Sequence, residues 1–222
     1  MQKTEIKSRR GFLKKSIIAG GSIAALSGKA IANVCNQLTP AQTEGPFYPV
    51  NDQLDKDQDL TFVKNRNQRA KGEVVMLKGV VRDDQCRPIK GALVEIWQAC
   101  DSGRYNHPQD PNTAALDPNF QYWGRAITNA KGEYWFKTIR PGKYRATNTW
   151  VRPPHIHMKV HLRGFEELTT QVYWKDEVAL NNGDLVLQRL ERKEQNMVIV
   201  DFKKQGNLPA TGEFNITLKS FT

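Results

Sequence analysis

Short β-branched runs broken by turn residues dominate the chain from Glu73 onward, and no long segment carries a convincing apolar period of 3.6 residues. Val74 to Val81 and Ala92 to Trp97 flank a polar connection holding Pro88 and Gly91, which is the grammar of a hairpin. A second unit runs from Ala126 to Thr128, turns through Asn129-Ala130-Lys131-Gly132 and continues from Glu133 to Thr138 with aromatic and polar residues alternating; Pro141-Gly142 makes the next turn. Further strands are predicted at His155 to Leu162, Thr170 to Trp174, Met197 to Phe202 and Phe214 to Leu218, with a short helix or turn within Asn181 to Glu194. Together these features predict an all-β fold, an antiparallel β-sandwich with long loops.

The 222 residues suffice for one sizeable core and are too few for two generous domains. Residues 1–32 read as a removable leader. Ser8-Arg9-Arg10-Gly11-Phe12-Leu13-Lys14 is a twin-arginine pattern, Ser16 to Leu26 is weakly apolar, and the small residues Ala30 and Ala32 predict cleavage before Asn33. An apolar run of about eleven residues falls short of the roughly 20 that span a bilayer, so no membrane anchor is expected after its removal. The expected location is periplasmic or extracellular. Residues 33–72, rich in Pro, Asn, Gln and charge, form an irregular arm, and residues 73–222 the sandwich domain.

The net charge of +10 does not indicate nucleic acid. Residues 1–32 hold seven basic and one acidic side chain, so removing that +6 leaves +4, scattered and without an aromatic stripe. The three cysteines, Cys35, Cys86 and Cys100, lie beyond the leader, where an oxidising compartment favours a disulfide. Eight or so extended residues span roughly 26 Å, far more than the Cα separation of about 4.4 to 6.8 Å that a bridge tolerates. Cys86 and Cys100 are therefore poor partners for each other, and Cys35 is the better partner for one of them.

The sharpest chemical signal is Arg152-Pro153-Pro154-His155-Ile156-His157. Residues two apart on a strand share a face, so His155 and His157 can present two imidazoles to one ion while Ile156 faces the other layer. Imidazole serves several metals, so the pair alone does not choose one. No cysteine pair has zinc spacing. Two tyrosines stand instead in loop settings, Tyr105 after Gly103-Arg104 and Tyr144 after Pro141-Gly142-Lys143. Phenol ionises near pH 10, but bonding to a highly charged ion favours the anion, and two phenolates are hard donors suited to ferric iron. His107 and His161 read as structural or surface residues, and Tyr134 and Trp135 as strand packing.

The ordered motifs Gly103-Arg104-Tyr105, Leu116-Asp117-Pro118-Asn119-Phe120, Gly124-Arg125, Gly132-x-Tyr134, Pro141-Gly142-x-Tyr144 and Arg152-Pro-x-His155-x-His157 resemble the intradiol ring-cleavage dioxygenases, nearest to protocatechuate 3,4-dioxygenase β-type chains. The resemblance spans about Thr43 to Trp174. It implies a prealbumin-like sandwich and one non-haem Fe(III) per chain, held by Tyr105, Tyr144, His155 and His157. It also implies a catalytic Arg152 beside the substrate, a Gln171 that helps to orient the site, and an arm whose Phe47 and Tyr48 roof the pocket. The implied activity is that of an oxidoreductase: O2 opens the ring of a catechol-type small molecule to a cis,cis-muconate-type diacid, with Tyr144 displaced when substrate chelates the metal. Two phenolates and one hydroxide neutralise a trivalent ion, which suits a buried site. A homo-oligomer or a partner subunit is also among the expectations.

The loop Arg145 to Val151 is shorter than is typical of protocatechuate enzymes and lacks the aromatic that usually follows the ligand tyrosine, so protocatechuate, catechol and hydroxyquinol all stay open as substrates. The rival from another class is a non-catalytic transthyretin-like or carboxypeptidase-regulatory-like sandwich module, which the hairpin grammar also resembles. Such a module has no reason to keep Tyr105, Arg152, His155 and His157 together. A cupin-type His-x-His oxygenase lacks its usual downstream Glu and second His here.

Overall fold

The computed structural model describes residues 37–53 and 55–221, so the twin-arginine leader, its cleavage position and Cys35 lie outside the described residues. Two main sheets face each other. In the first, β1 (Val74–Asp83) pairs antiparallel with β4 (Glu133–Ile139) along one edge. Along its other edge it pairs parallel with β10 (Ala210–Glu213) and β11 (Ile216–Leu218). The second sheet runs in the order β3 (Trp123–Ile127), β2 (Leu93–Trp97), β7 (His155–His161), β8 (Leu168–Trp174), β9 (Ile199–Val200). Its central pairs are antiparallel and its last pair, β8 with β9, is parallel. A separate two-stranded ribbon joins β5 (Tyr144–Arg145) to β6 (Val151–Arg152).

The predicted sandwich is present, with parallel pairs added where C-terminal segments return over long connections. Leu77, Val81, Phe136 and Ile139 from one sheet meet Val94, Ile96, Ile156, Met158, Val160 and Val172 from the other, all fully buried. Each such side chain contributes about 1.5–3 kcal/mol relative to exposure, so this layer is the main source of stability. The period-two pattern has its cause here: along β4, Tyr134 and Phe136 point into the core while Trp135 points out and stays 45% exposed.

Two predicted strands differ. Met197 to Phe202 starts as helix, because α2 (Arg192–Val198) takes its first two residues and β9 keeps only the next two. The Glu194 carboxylate accepts the Glu191 backbone N–H at 2.8 Å, which caps this helix at its start. Phe214 to Leu218 starts as a break: the Asn215 side-chain oxygen accepts the Val80 N–H at 2.9 Å in place of a backbone carbonyl, and the strands resume on either side. The segment expected to hold a short helix has α1 (Val178–Asn182) at its start and a 3-10 turn at Leu187–Arg189. Cys100 is a free, buried thiol and Cys86 is disulfide-bonded. No helix among the described residues is long and apolar enough to cross a membrane.

Candidate metal centre

Strand register builds half of the site. Trp97, His157 and Gln171 stand opposite one another across β2, β7 and β8, and His155 stands opposite Tyr173. Paired residues project to the same face of a sheet, so the two histidines leave the core face to Ile156 and sit between aromatic neighbours. The Trp97 indole stacks on His157 with centroids 4.9 Å apart and planes 11° apart, which fixes that ring.

Loops bring the other half. Gly103, at φ +79°, lies so close to the Lys143 carbonyl that a side chain would collide with it, and this contact holds the loop of Tyr105 against the turn of Tyr144. The Tyr105 backbone N–H donates to Asp110 at 2.6 Å. Tyr144 opens β5 and is the direct partner of Arg152 across the β5–β6 ribbon. Ring centroids of the four predicted ligands fall within one cluster: His155 to His157 at 4.9 Å, Tyr105 to Tyr144 at 5.6 Å, Tyr144 to His155 at 5.7 Å and Tyr105 to His157 at 6.0 Å.

The His155 Nδ1–H donates to the Pro153 carbonyl at 2.7 Å, which leaves Nε2 as a lone pair. Two donors converge on that lone pair, the Tyr105 hydroxyl and Arg152 Nη1, each at 3.2 Å. His157 Nδ1 is buried with no partner. Burial, followed by the Arg152 charge, holds both imidazoles well below their ordinary pKa, so they are neutral and able to donate. Burial pushes the Tyr105 phenol well above its ordinary value and also raises Tyr144, where Arg152 opposes the shift. Both phenols would gain from a cation among them, the buried Tyr105 most. Among the described residues no three His, Cys, Asp or Glu side chains group to hold a metal, so a metal here has to be completed by phenols. An imidazole lone pair, an orphaned imidazole nitrogen and two phenols form a donor set that fits ferric iron.

Arg152 and Gln171 lie next to the four predicted ligands. Gln171 Oε1 accepts from Arg152 Nη2 at 2.9 Å and from the Tyr173 hydroxyl at 3.0 Å, while its Nε2 donates to the Thr43 carbonyl at 2.9 Å. The arm thus ties into the site, and at Gly45 it passes so near His157 that an added Cβ would lie 3.3 Å from Cε1. Phe47 covers the phenols, 4.7 Å from Tyr105 and 6.3 Å from Tyr144. Tyr48 is turned the other way: it packs edge-on to Trp97, donates to Glu95 at 3.3 Å and lies under Lys159. His107 is buried against Phe47, and His161 is exposed beside Glu167. Asp184, fully buried against Arg152, gave no local signal because it lies 32 residues away. A cavity of about 360 Å³ opens beside Tyr105 between the arm and the Arg104 to Pro108 loop.

A family model described as "Dioxygenase" matches residues 43–220. The protocatechuate 3,4-dioxygenase beta chain of Burkholderia cepacia is 40% identical over 139 residues, covering 61% of this chain and 59% of that one. The hydroxyquinol 1,2-dioxygenase of Rhizobium sp. is 31% identical over 120 residues, covering 48% of this chain and 39% of the relative. The chain thus spans less than two thirds of the length of these relatives. Among solved structures, the dioxygenase domain of a dioxygenase carbohydrate-binding protein fusion from Streptomyces sp. SirexAA-E is 26% identical, with a TM-score of 0.62 over 83% of this chain and 100% of that one. The intradiol ring-cleavage dioxygenase of Tetranychus urticae, 23% identical, shares the fold with a TM-score of 0.65 over 82% of this chain and 95% of that one.

Proposed function

The chain belongs to the intradiol ring-cleaving dioxygenase family, and from that membership we propose that it is a non-haem Fe(III) enzyme opening the ring of a catechol-type substrate. One observation carries the reading: two phenols and two neutral imidazoles from separate stretches share one buried cluster beside a buried arginine. Ferric iron held by Tyr105, Tyr144, His155 and His157 would supply the Lewis acidity that deprotonates a catechol and the redox partner that makes the ring reactive to O2.

The chain's own residues then have distinct tasks. Tyr105 is buried, with 3% of its surface exposed, whereas Tyr144 is only partly buried, so Tyr144 is the phenol with room to move aside. Its oxygen would take one of the two catechol protons, with Arg152, its partner across the ribbon, able to donate an N–H to that oxygen. Arg152 Nη1 would present N–H to the negative charge that develops on the oxygenated ring. Phe47 and Trp97 would keep water from the reacting face. Catechol and O2 together carry every atom of a cis,cis-muconate-type diacid, so no external reductant is required.

Protocatechuate, catechol and hydroxyquinol are the proposed substrate class. Relatives named as alpha and beta chains support assembly with a second copy or a partner subunit. Export by the twin-arginine leader is also proposed; the disulfide at Cys86 supports an oxidising compartment. No specific observation favours the non-catalytic module. The test is oxygen uptake by iron-loaded protein with these three diols under 18O2. The expected product is a diacid carrying both labelled atoms, and absence of uptake with all three would overturn the activity.

A further inference from the structure

Arg152 has five N–H donors, and four acceptor groups divide them. Asp184 takes the Nε edge, with Oδ2 at 2.9 Å from Nε and Oδ1 at 3.3 Å from Nη2. Gln171 Oε1 and the Tyr173 hydroxyl take the remainder of Nη2, at 2.9 and 3.3 Å. Only Nη1 is left, and it points to His155 Nε2. A carboxylate gripping the Nε and Nη2 edge of a guanidinium in this forked manner determines the plane of the whole group.

Asp184 is itself held rigidly. Its Oδ1 accepts the backbone N–H of Val186 at 3.0 Å and of Leu187 at 2.8 Å, so the turn after α1 aims the carboxylate. The side chains of Asp184 and Arg152 are 0% and 5% exposed. Asp184 also pairs with the arginine charge and offsets part of it, while leaving directed N–H groups facing the cluster.

We propose that Asp184 is the positioning residue for Arg152, turning Nη1 and no other edge of the guanidinium towards the reacting atoms. The inference rests on the catalytic reading of Arg152 given under Proposed function. A 1 Å misplacement of a catalytic group costs on the order of 100-fold in rate. Chelation of a catechol would fall to the metal, so binding should change little.

The test compares wild type with Asp184→Asn and Asp184→Glu by two measurements. In metal-free protein, 15N NMR of the Arg152 Nε–H is expected to show a shifted, slowly exchanging resonance in wild type that moves in Asp184→Glu and collapses into the bulk arginine signal in Asp184→Asn. In iron-loaded protein with catechol, kcat is expected to fall about 100-fold in Asp184→Asn, with KM changed by less than about threefold, and to recover in part in Asp184→Glu. The inference is overturned if the resonance is displaced while kcat stays at the wild-type value in either variant, or if KM alone changes. Should Asp184→Asn fail to fold, Asp184→Glu, which keeps the charge, decides the matter by the same criteria. If iron-loaded wild type opens no ring, the catalytic reading has failed, and the NMR signal on metal-free protein still reports whether Asp184 orients Arg152.

Discussion

The phenolic oxygen of Tyr105 lies 3.2 Å from Nε2 of His155, and both side chains are sealed from solvent. A loop residue and a strand residue 50 positions apart are thus brought into contact at the atoms a metal would bind. His155→Ala removes one donor and opens a gap on the β7 side. Iron retention after dialysis is expected to fall by at least about 100-fold in affinity, measured by metal analysis against a competing chelator. Unchanged iron content would place the metal elsewhere.

The contact between the Tyr105 and Tyr144 loops predicts a stability effect. Gly103→Ala puts a Cβ at φ +79° and against the Lys143 carbonyl, with Tyr144 Cβ 3.3 Å away. Backbone strain of this kind costs about 1–3 kcal/mol, to which the collision adds. A loss of at least about 2 kcal/mol is expected, read as a thermal midpoint lower by roughly 4–8 °C. Activity should drop further than stability alone accounts for, since both phenols shift.

Asp83 predicts part of the acid limit. Burial pushes its carboxyl up, but the Arg87 backbone N–H at 2.8 Å, the Arg87 guanidinium at 2.6 Å and the Gln85 N–H at 3.0 Å outweigh it and hold the pKa below its ordinary 3.8. The stabilisation is therefore complete above 3.8 and disappears as pH falls through the lowered folded value. Urea unfolding at about pH 5 and about pH 3 should show wild type losing more stability on acidification than Asp83→Asn. Equal losses would mean that the carboxylate is not held in this way.

Much of this architecture is legible in the order of residues. The alternation in Val74–Asp83 and Glu133–Ile139 marks the inward face of one layer directly, because Val75, Leu77, Val81, Tyr134 and Phe136 all fall on it. The His-x-His spacing marks two donors on one face of β7, and the Gly-Arg-Tyr and Pro-Gly-x-Tyr turns mark the two phenols. Less visible is what depends on distant pairing. Nothing local in Ala210–Glu213 announces a parallel partner in β1, and Glu191 to Glu194 draws Met197 and Val198 into a helix that an apolar run alone would assign to a strand. Tyr48 and Phe47 are adjacent, and only the path of the arm decides that Phe47 covers the phenols while Tyr48 turns to Trp97 and Glu95. Asp184 escapes sequence reading for the same reason: its partner is set by where α1 ends, not by a neighbouring residue.

The most direct measurement is the visible absorption spectrum of the protein reconstituted with ferric iron, beside that of Tyr144→Phe. One bound iron per chain with a phenolate-to-iron band in the visible, shifted and weakened in Tyr144→Phe, is the predicted result. A colourless wild type that nonetheless binds one ferric ion, or a band untouched by the substitution, would contradict a centre built on these two tyrosines.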